Sequence, residues 1–340
     1  MKILIDTGHP AHIHYFRNAV KLLEGKGDQV LFVVRDKESS VRLADRYGLS
    51  YISRGKGGSN VWQKLSMLPR IVKRLVSVAK DFKPDLFLSF ASPYAAQAAF
   101  LTGKPHIAFD DTEHAVFSHL LYRSFTKEIH SPFYYLQKNK LHKRQKLFDS
   151  FMELAYLQTD YLEEVFGLGD KLGLAENESY VVLRFVSWDA NHDIGQKGLS
   201  LKDKMRLVEM LSSHCRVFIS SESKIDKQLE AYQLNIEPDY FHAVLKGASL
   251  YVGEGSTTAC ESCLLGTPAI YVNTLHVGNC AYLEEKGICT STTDIEEIIK
   301  ISSDILENSE SSKYCRIQQE ILNECIDTTQ YIIDVLNKYR

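Results

Sequence analysis

Lys2-Ile3-Leu4-Ile5-Asp6-Thr7-Gly8-His9-Pro10 decides the reading of the chain. Its apolar run has the length of a buried strand, Thr7 to Pro10 breaks it, and Phe16, Val20 and Leu23 then recur at helical spacing. That is strand, tight turn, helix. Gly25-Lys26-Gly27 stops the helix, and Gln29 to Arg35 carries a second apolar run, Val-Leu-Phe-Val-Val. A polar helix through Arg46 and a short strand near Tyr51 continue the alternation. Parallel strands need crossover helices, so this order predicts a parallel sheet covered on both faces.

Working outward, residues 61–80 form an amphipathic stretch with Trp62, Leu65, Leu68, Val72, Leu75 and Ala79 near one face. Lys64, Arg70, Lys73, Arg74 and Lys80 lie among the rest, and Pro69 is expected to kink it. Strands are expected at Asp85–Ser89 and from Lys104 to Phe109, giving the first sheet at least five. A second basic stretch covers 137–146, and the glycine-rich segment 165–178 is the best linker. The pattern then restarts: strand Tyr180–Phe185, helix Ser200–Ser213, strand Arg216–Ser220, strand Leu250–Val252, and a strand from Ala269 to Asn273. The expected organisation is therefore two α/β domains with parallel sheets, 1–165 and 178–311. Residues 312–340 form a C-terminal helical segment free to pack back on the first domain.

Size agrees. At 340 residues the chain exceeds one core, and about 150 residues per domain gives two, with a cleft between them. Hydrophobic residues at 44% and charged residues at 24% are globular values and exclude a disordered or membrane-embedded body. Met1 runs directly into strand, and no window is apolar enough to span a bilayer, so a cytoplasmic location is expected. Seven cysteines, none before Cys215, do not make a disulfide framework; Cys260-x-x-Cys263 reads as two small residues on one helix. The net charge of -3 hides an asymmetry: residues 1–160 carry about +9 and the remainder about -12 by count. A basic first half favours anionic partners: lipid headgroups, lipid-linked diphosphates or nucleic acid.

Three loops can carry chemistry. Gly253-Glu254-Gly255-Ser256-Thr257-Thr258 joins a buried strand to a helix, and small side chains there let backbone amides approach a phosphate. Glu261 follows where ribose hydroxyls would lie. The alternative is a tight turn with a Ser or Thr cap. In Gly8-His9-Pro10-Ala11-His12-Ile13-His14, a histidine at a strand end can act as general base, donate to a phosphate or cap the helix. Asp110-Asp111-Thr112-Glu113-His114 can position acceptor hydroxyls or cap the next helix. No metal is expected at either of the last two. Arg184, in an otherwise apolar strand, needs an anionic partner, either a ligand diphosphate or an acidic side chain. Ser187 follows it, and Glu222 at the next strand end can reach a base or ribose or simply be solvated.

Taken together the segments resemble the family catalogued as domain of unknown function 354, predicted glycosyltransferase-like proteins of the GT-B superfamily, which also holds UDP-N-acetylglucosamine 2-epimerases. The resemblance runs through Gly8 to His12 with Phe16, Arg35-Asp36, Phe109 to His114, Glu153 to Leu157, Arg184 to Ala190 with His192-Asp193, and Gly253 to Glu261 with Gly266-Thr267-Pro268. It implies two Rossmann-like domains facing a central cleft. It also implies a UDP-linked or similar nucleotide-sugar donor on the second, held by Arg184, Ser187, Glu222, Gly253, Gly255, Ser256, Thr257, Thr258 and Glu261. A carbohydrate or lipid-linked acceptor on the first domain is implied, with His9 as base, His12, Asp110 and Asp111 assisting, and His14, Glu113 and His114 near the acceptor. No cofactor is expected beyond the donor. The expected function is sugar transfer to a hydroxyl acceptor, plausible for cell-surface polysaccharide synthesis, with peripheral membrane contact through 61–80. The alternatives are a nucleotide-sugar 2-epimerase or hydrolase, and a non-catalytic nucleotide- or nucleic-acid-binding protein. Lys and Arg are not interleaved with aromatics in an RNA-reading pattern, so no nucleic-acid partner is expected.

Overall fold

The computed structural model describes residues 1–58, 61–135, 141–162, 165–185, 198–221, 225–308 and 310–340. The chain divides into two compact units, Met1–Gln158 with Cys325–Arg340, and Thr159–Glu324. The division falls before Thr159 rather than within 165–178, and the C-terminal segment splits between the units.

Among the described residues the first unit holds a parallel sheet of seven strands, ordered β3-β2-β1-β4-β5-β6-β7. These are β1 (Lys2–Thr7), β2 (Gln29–Val34), β3 (Tyr51–Ser53), β4 (Leu86–Phe90), β5 (His106–Phe109), β6 (Glu128–Pro132) and β7 (Gln145–Phe148). The last two escape a hydrophobicity pattern because Glu-Ile-His-Ser-Pro and Gln-Lys-Leu-Phe are short and half polar. Their polar atoms are matched: Gln145 donates to Ser131 at 2.8 Å, and His130 Nδ1 lies 2.8 Å from the Tyr331 hydroxyl.

α1 (Pro10–Gly25) and α2 (Glu38–Arg46) follow the first two strands. α3 (Val61–Phe82) is the long basic helix; Pro69 lies inside it without ending it. α4 (Pro93–Leu101), α5 (Val116–Tyr122) and the single turn α6 (Leu154–Leu157) complete the run. α3 seats Ile71, Val72, Leu75, Val78 and Ala79 on Leu4, Val33, Phe87 and the alanines of α4. The small Ala95, Ala98 and Ala99 let the helix sit close to the sheet, where larger side chains would overfill the space. The C-terminal helix Thr328–Asn337 is capped by Asp327 and fixed to this unit through polar bonds. Thr328 donates within 2.8 Å of Ser150 and the Phe151 carbonyl, and Thr329 donates to Ala155 O at 2.9 Å.

The second unit carries a five-stranded parallel sheet ordered β12-β11-β10-β8-β9. Its strands are β8 (Tyr180–Phe185), β9 (Arg216–Ser221), β10 (Leu250–Gly253), β11 (Ala269–Tyr271) and β12 (Cys289–Ser291). The helices are α7 (Leu168–Leu172), α8 (Leu201–Ser212), α9 (Phe241–Gly247), α10 (Ser256–Leu264), α11 (Gly278–Glu285), α12 (Ile295–Asn308) and α13 (Ser311–Glu324). Val181, Leu183, Ile219, Leu250, Val252 and Ile270 form the sheet side of a core closed by Leu207, Leu211 and Ile298. α13 stays with this unit, Gln318 donating to the Leu264 carbonyl at 3.0 Å. No helix among the described residues is long and apolar enough to cross a membrane.

Candidate functional site

Both sheets present their loops at the carboxyl ends of parallel strands, where ligands of open α/β sheets bind. In the first unit the loop after β1 is anchored by a buried pair. The Asp6 carboxylate is fully inaccessible. It accepts from Arg54 Nη1 at 2.6 and 2.5 Å and from the Ser92 hydroxyl. Ser92 in turn caps α4, accepting from the Ala95 amide at 3.3 Å. The Arg54 guanidinium lies over the Tyr94 ring at 4.7 Å. It also crowds Gly8, where a Cβ would lie 3.2 Å from Nη2. One arginine thereby ties the ends of β1 and β3 to the start of α4.

His9 is the N-cap of α1, its Nδ1 accepting from the Ala11 amide at 3.3 Å, and it is exposed. His12 Nδ1 accepts from the Gly8 amide at 3.3 Å, and its ring rests on Phe90 at 4.8 Å. Burial, with His9 and Arg54 adding repulsion, holds the His12 imidazole well below its ordinary range. A neutral ring accepting at Nδ1 carries its proton on Nε2. As they stand, both histidines offer a donor rather than a base at Nε2. His14 lies elsewhere, between the rings of Tyr47 at 5.7 Å and Tyr156 at 5.2 Å.

Two strands away, about 10 Å at sheet spacing, Asp110 directly follows β5. This carboxylate is fully buried. It accepts from the Thr112 amide at 2.9 Å and from the Tyr122 hydroxyl, with His119 Nε2 at 3.1 Å and Arg123 at 3.9 Å. Tyr122 keeps its proton, because burial and the Asp110 charge raise it further above its ordinary value. Asp110 therefore organises the loop against α5. Its neighbour Asp111 accepts from Thr112 at 3.1 Å. Burial, then the charges of Asp110 and Glu113, push Asp111 up to about 7. Glu113 is buried at 4% exposure and His114 is half-buried, both in the same loop.

In the second unit Gly253 ends β10 in register with Arg184 of β8, which pairs in turn with Ser220 of β9. A Cβ on Gly253 would overlap the buried Tyr251 hydroxyl and lie 3.0 Å from the Arg184 carbonyl, so this position disfavours any side chain. Gly255 is the N-cap of α10 in extended conformation and supplies no side-chain cap. The amides of Ser256, Thr257 and Thr258 consequently open the helix without an intrahelical acceptor. Arg184 donates to the Ser220 hydroxyl at 2.8 Å and lies 5.3 Å from the Phe241 ring centroid. Glu254 is buried, accepting from the Leu199 amide at 3.1 Å with Lys204 at 3.6 Å. Glu261, 8% exposed, faces His242 Nε2 at 3.2 Å. Ser187 and Glu222 lie outside the described residues.

The structure thus brings Gly253, Gly255, Ser256, Thr257 and Thr258 together with Arg184, and separately groups Gly8, His9 and His12, and Asp110, Asp111 and Glu113. Sequence reasoning missed Arg54, Ser92, His119, Tyr122 and His242. Only Asp6, an acid closing an apolar strand, offered a signal, since it demands a buried cation. Among the described residues no group of three or more His, Cys, Asp or Glu is placed to hold a metal ion. A cavity of about 330 Å³ beside Arg216, Val217 and Tyr232 opens at the amino-terminal half of β9, away from the loop after β10.

Two units built on parallel sheets of seven and five strands, among the described residues, have the architecture of the GT-B fold. The chain belongs to the family described as "Protein of unknown function (DUF354)", which matches residues 1–339. An uncharacterized protein of Methanocaldococcus jannaschii is 26% identical over 318 residues, 90% of this chain and 92% of that one. The crystal structure of the glycotransferase of kitacinnamycin superposes with a TM-score of 0.69 at 12% identity, over 99% of this chain and 98% of that one. UDP-GlcNAc 2-epimerase from Neisseria meningitidis, solved bound to UDP-GlcNAc, gives 0.69 at 13% identity, over 99% and 100%.

Proposed function

We propose that the protein transfers a sugar from a nucleotide-diphosphate sugar to a hydroxyl acceptor. The observation that carries this reading is the opening of α10: amides without a side-chain cap at Ser256, Thr257 and Thr258, reached by a strand that ends in the crowded Gly253, beside Arg184. Such a helix start supplies fixed donors and a favourable field for a diphosphate, and the arginine adds a charge-assisted bond as the leaving group develops charge. Glu261 then lies one turn further along, suited to a ribose hydroxyl. A UDP-linked donor is the first to test, and the reaction as drawn uses no metal.

Acceptor chemistry falls to the first unit in this reading. Asp111 has a proton affinity matched to neutral pH and is the group to take the acceptor proton. His9 and His12 donate from Nε2 and orient the acceptor; His9 becomes a base only if it gives up the Ala11 amide. Asp110 holds the loop, and Glu113, His114 and His14 border it.

The test is a thermal-shift series with UDP, dTDP and their sugars, since a ligand that binds only the folded state raises its melting temperature. A nucleotide sugar that stabilises the protein but not its Arg184→Ala variant supports the reading; no shift with any nucleotide ends it. Superposition on a 2-epimerase favours a second reading. Release of UDP with N-acetylmannosamine from UDP-GlcNAc alone, with no acceptor present, would replace transfer by epimerisation.

A further inference from the structure

α3, α4 and α5 cover one face of the first-unit sheet side by side, α4 packing against both neighbours. α5 is two-sided. His119 and Tyr122 turn inward to Asp110, while Val116, Phe117 and Leu120 stand outward, Leu120 at 73% exposure. Next to them α4 ends in Phe100 and Leu101, exposed by 65% and 66%. Phe125 of the following turn packs edge-on against Phe100 at 5.3 Å. Six large apolar side chains therefore crowd the ends of two short helices, where single exposed ones would need no explanation.

The charge along these elements is mostly positive. Arg144 reaches the Ser124 and Thr126 carbonyls at 3.1 and 2.7 Å, beside Phe125, and Lys104 and Lys127 are exposed. On α3, Arg70, Lys73, Arg74 and Lys80 are exposed against one exposed acid, Asp81 in its last turn; Asp85 follows it, and the half-buried Glu128 pairs with Lys146. The acids of the intervening chain 86–127 are Asp110, Asp111 and Glu113; two are buried and the third is partly so. A soluble protein partner of ordinary composition would leave this row of cations unmatched. An anionic bilayer satisfies both halves, taking the apolar side chains below the headgroups and the cations at their level.

We infer that the outer surface of α3, α4 and α5 is a membrane-docking face for anionic lipid, with its apolar anchor on α4 and α5 and its cations on α3. This rests on the transferase reading in one respect: α5 joins the bilayer-facing side chains to the Asp110–His114 loop, so the acceptor it serves is lipid-linked and arrives from the membrane.

Full-length protein is sedimented with vesicles of phosphatidylcholine, with or without phosphatidylglycerol. The wild type is expected to pellet with the anionic vesicles only, less so as salt is raised. Phe117→Ser/Leu120→Ser should weaken binding roughly tenfold per side chain removed, and Lys73→Glu/Arg74→Glu should abolish the preference for phosphatidylglycerol. All four positions are exposed, so melting temperatures and the nucleotide-sugar shift should be unchanged. Wild-type protein left in the supernatant, or an apolar double variant that pellets like wild type, overturns the inference. So does a dimer that dissociates on Phe117→Ser/Leu120→Ser without vesicle binding, since a second copy is then the occupant. Docking without any nucleotide-sugar binding would instead sink the transferase reading and leave the surface standing.

Discussion

Arg54→Met should destabilise the first unit far more than a half-hidden surface charge would. Asp6 has no access to solvent and takes two short bonds from Arg54 Nη1; without them its carboxylate keeps only the Ser92 hydroxyl among these partners. Removing one member of a buried pair costs about 3–5 kcal/mol, because the survivor stays desolvated. For a unit of this size each kcal/mol moves the midpoint by about 2–4 °C, so the melting temperature should fall by about 6–20 °C. Asp6→Asn/Arg54→Met removes both charges, and its loss should be smaller than the sum of the two single losses by about 0.5–3 kcal/mol. Urea titrations followed by circular dichroism on the four proteins give the cycle. A loss below about 1 kcal/mol for Arg54→Met, or strict additivity, would show that water reaches Asp6 and that the pair does not organise the β1 loop.

Gly253→Ala should cost about 1–3 kcal/mol by overpacking and abolish any nucleotide-induced thermal shift, since its Cβ runs into the Tyr251 hydroxyl and lies 3.0 Å from the Arg184 carbonyl; unchanged binding would remove the steric argument for this turn. Burial lowers His106 to about 3, below its unfolded value, so its stabilising contribution is complete above about pH 6.5 and is lost as pH falls toward 3. His106→Gln should flatten acid unfolding by about 2 kcal/mol at pH 5, read from urea midpoints against pH. Asp111 is shifted the other way: its contribution is present below about pH 4 and lost as pH rises through about 7. Asp111→Asn should therefore gain relative stability above pH 7 while losing the limb of the pH–rate profile near 7 and about 10²–10⁴-fold in turnover; a retained limb would move the base elsewhere.

The fold was legible where one physical rule acts alone. Ile3 to Ile5 and, but for the partly buried Leu31, Val30 to Val34 are buried in a parallel sheet, so they read as unbroken apolar runs, and Gly25-Lys26-Gly27 marked the end of α1. β6 and β7 were not legible because His130, Ser131 and Gln145 are buried polar residues. Their burial is tolerated through partners as distant as Tyr331, which no local pattern reveals. The same holds for the division of the tail at Cys325: Thr328 and Thr329 look like surface residues until Ser150, Phe151 and Ala155 are placed beneath them.

The candidate site divides along the same line. Gly253 and Gly8 sit where a Cβ would crowd Tyr251 and Arg54, a constraint that shows in the string as small residues between strand and helix. Charged residues carry no such mark. Arg54 follows Tyr51-Ile52-Ser53 without any motif, yet it meets Asp6, 48 positions earlier, and sets the loop that carries His9. Tautomers lie further still from the sequence. Whether His9 is a base or a donor turns on one 3.3 Å bond from the Ala11 amide. Three histidines in six residues therefore announce chemistry without assigning it, and the proton affinity of Asp111 is set by burial beside Asp110 rather than by any spacing along the chain.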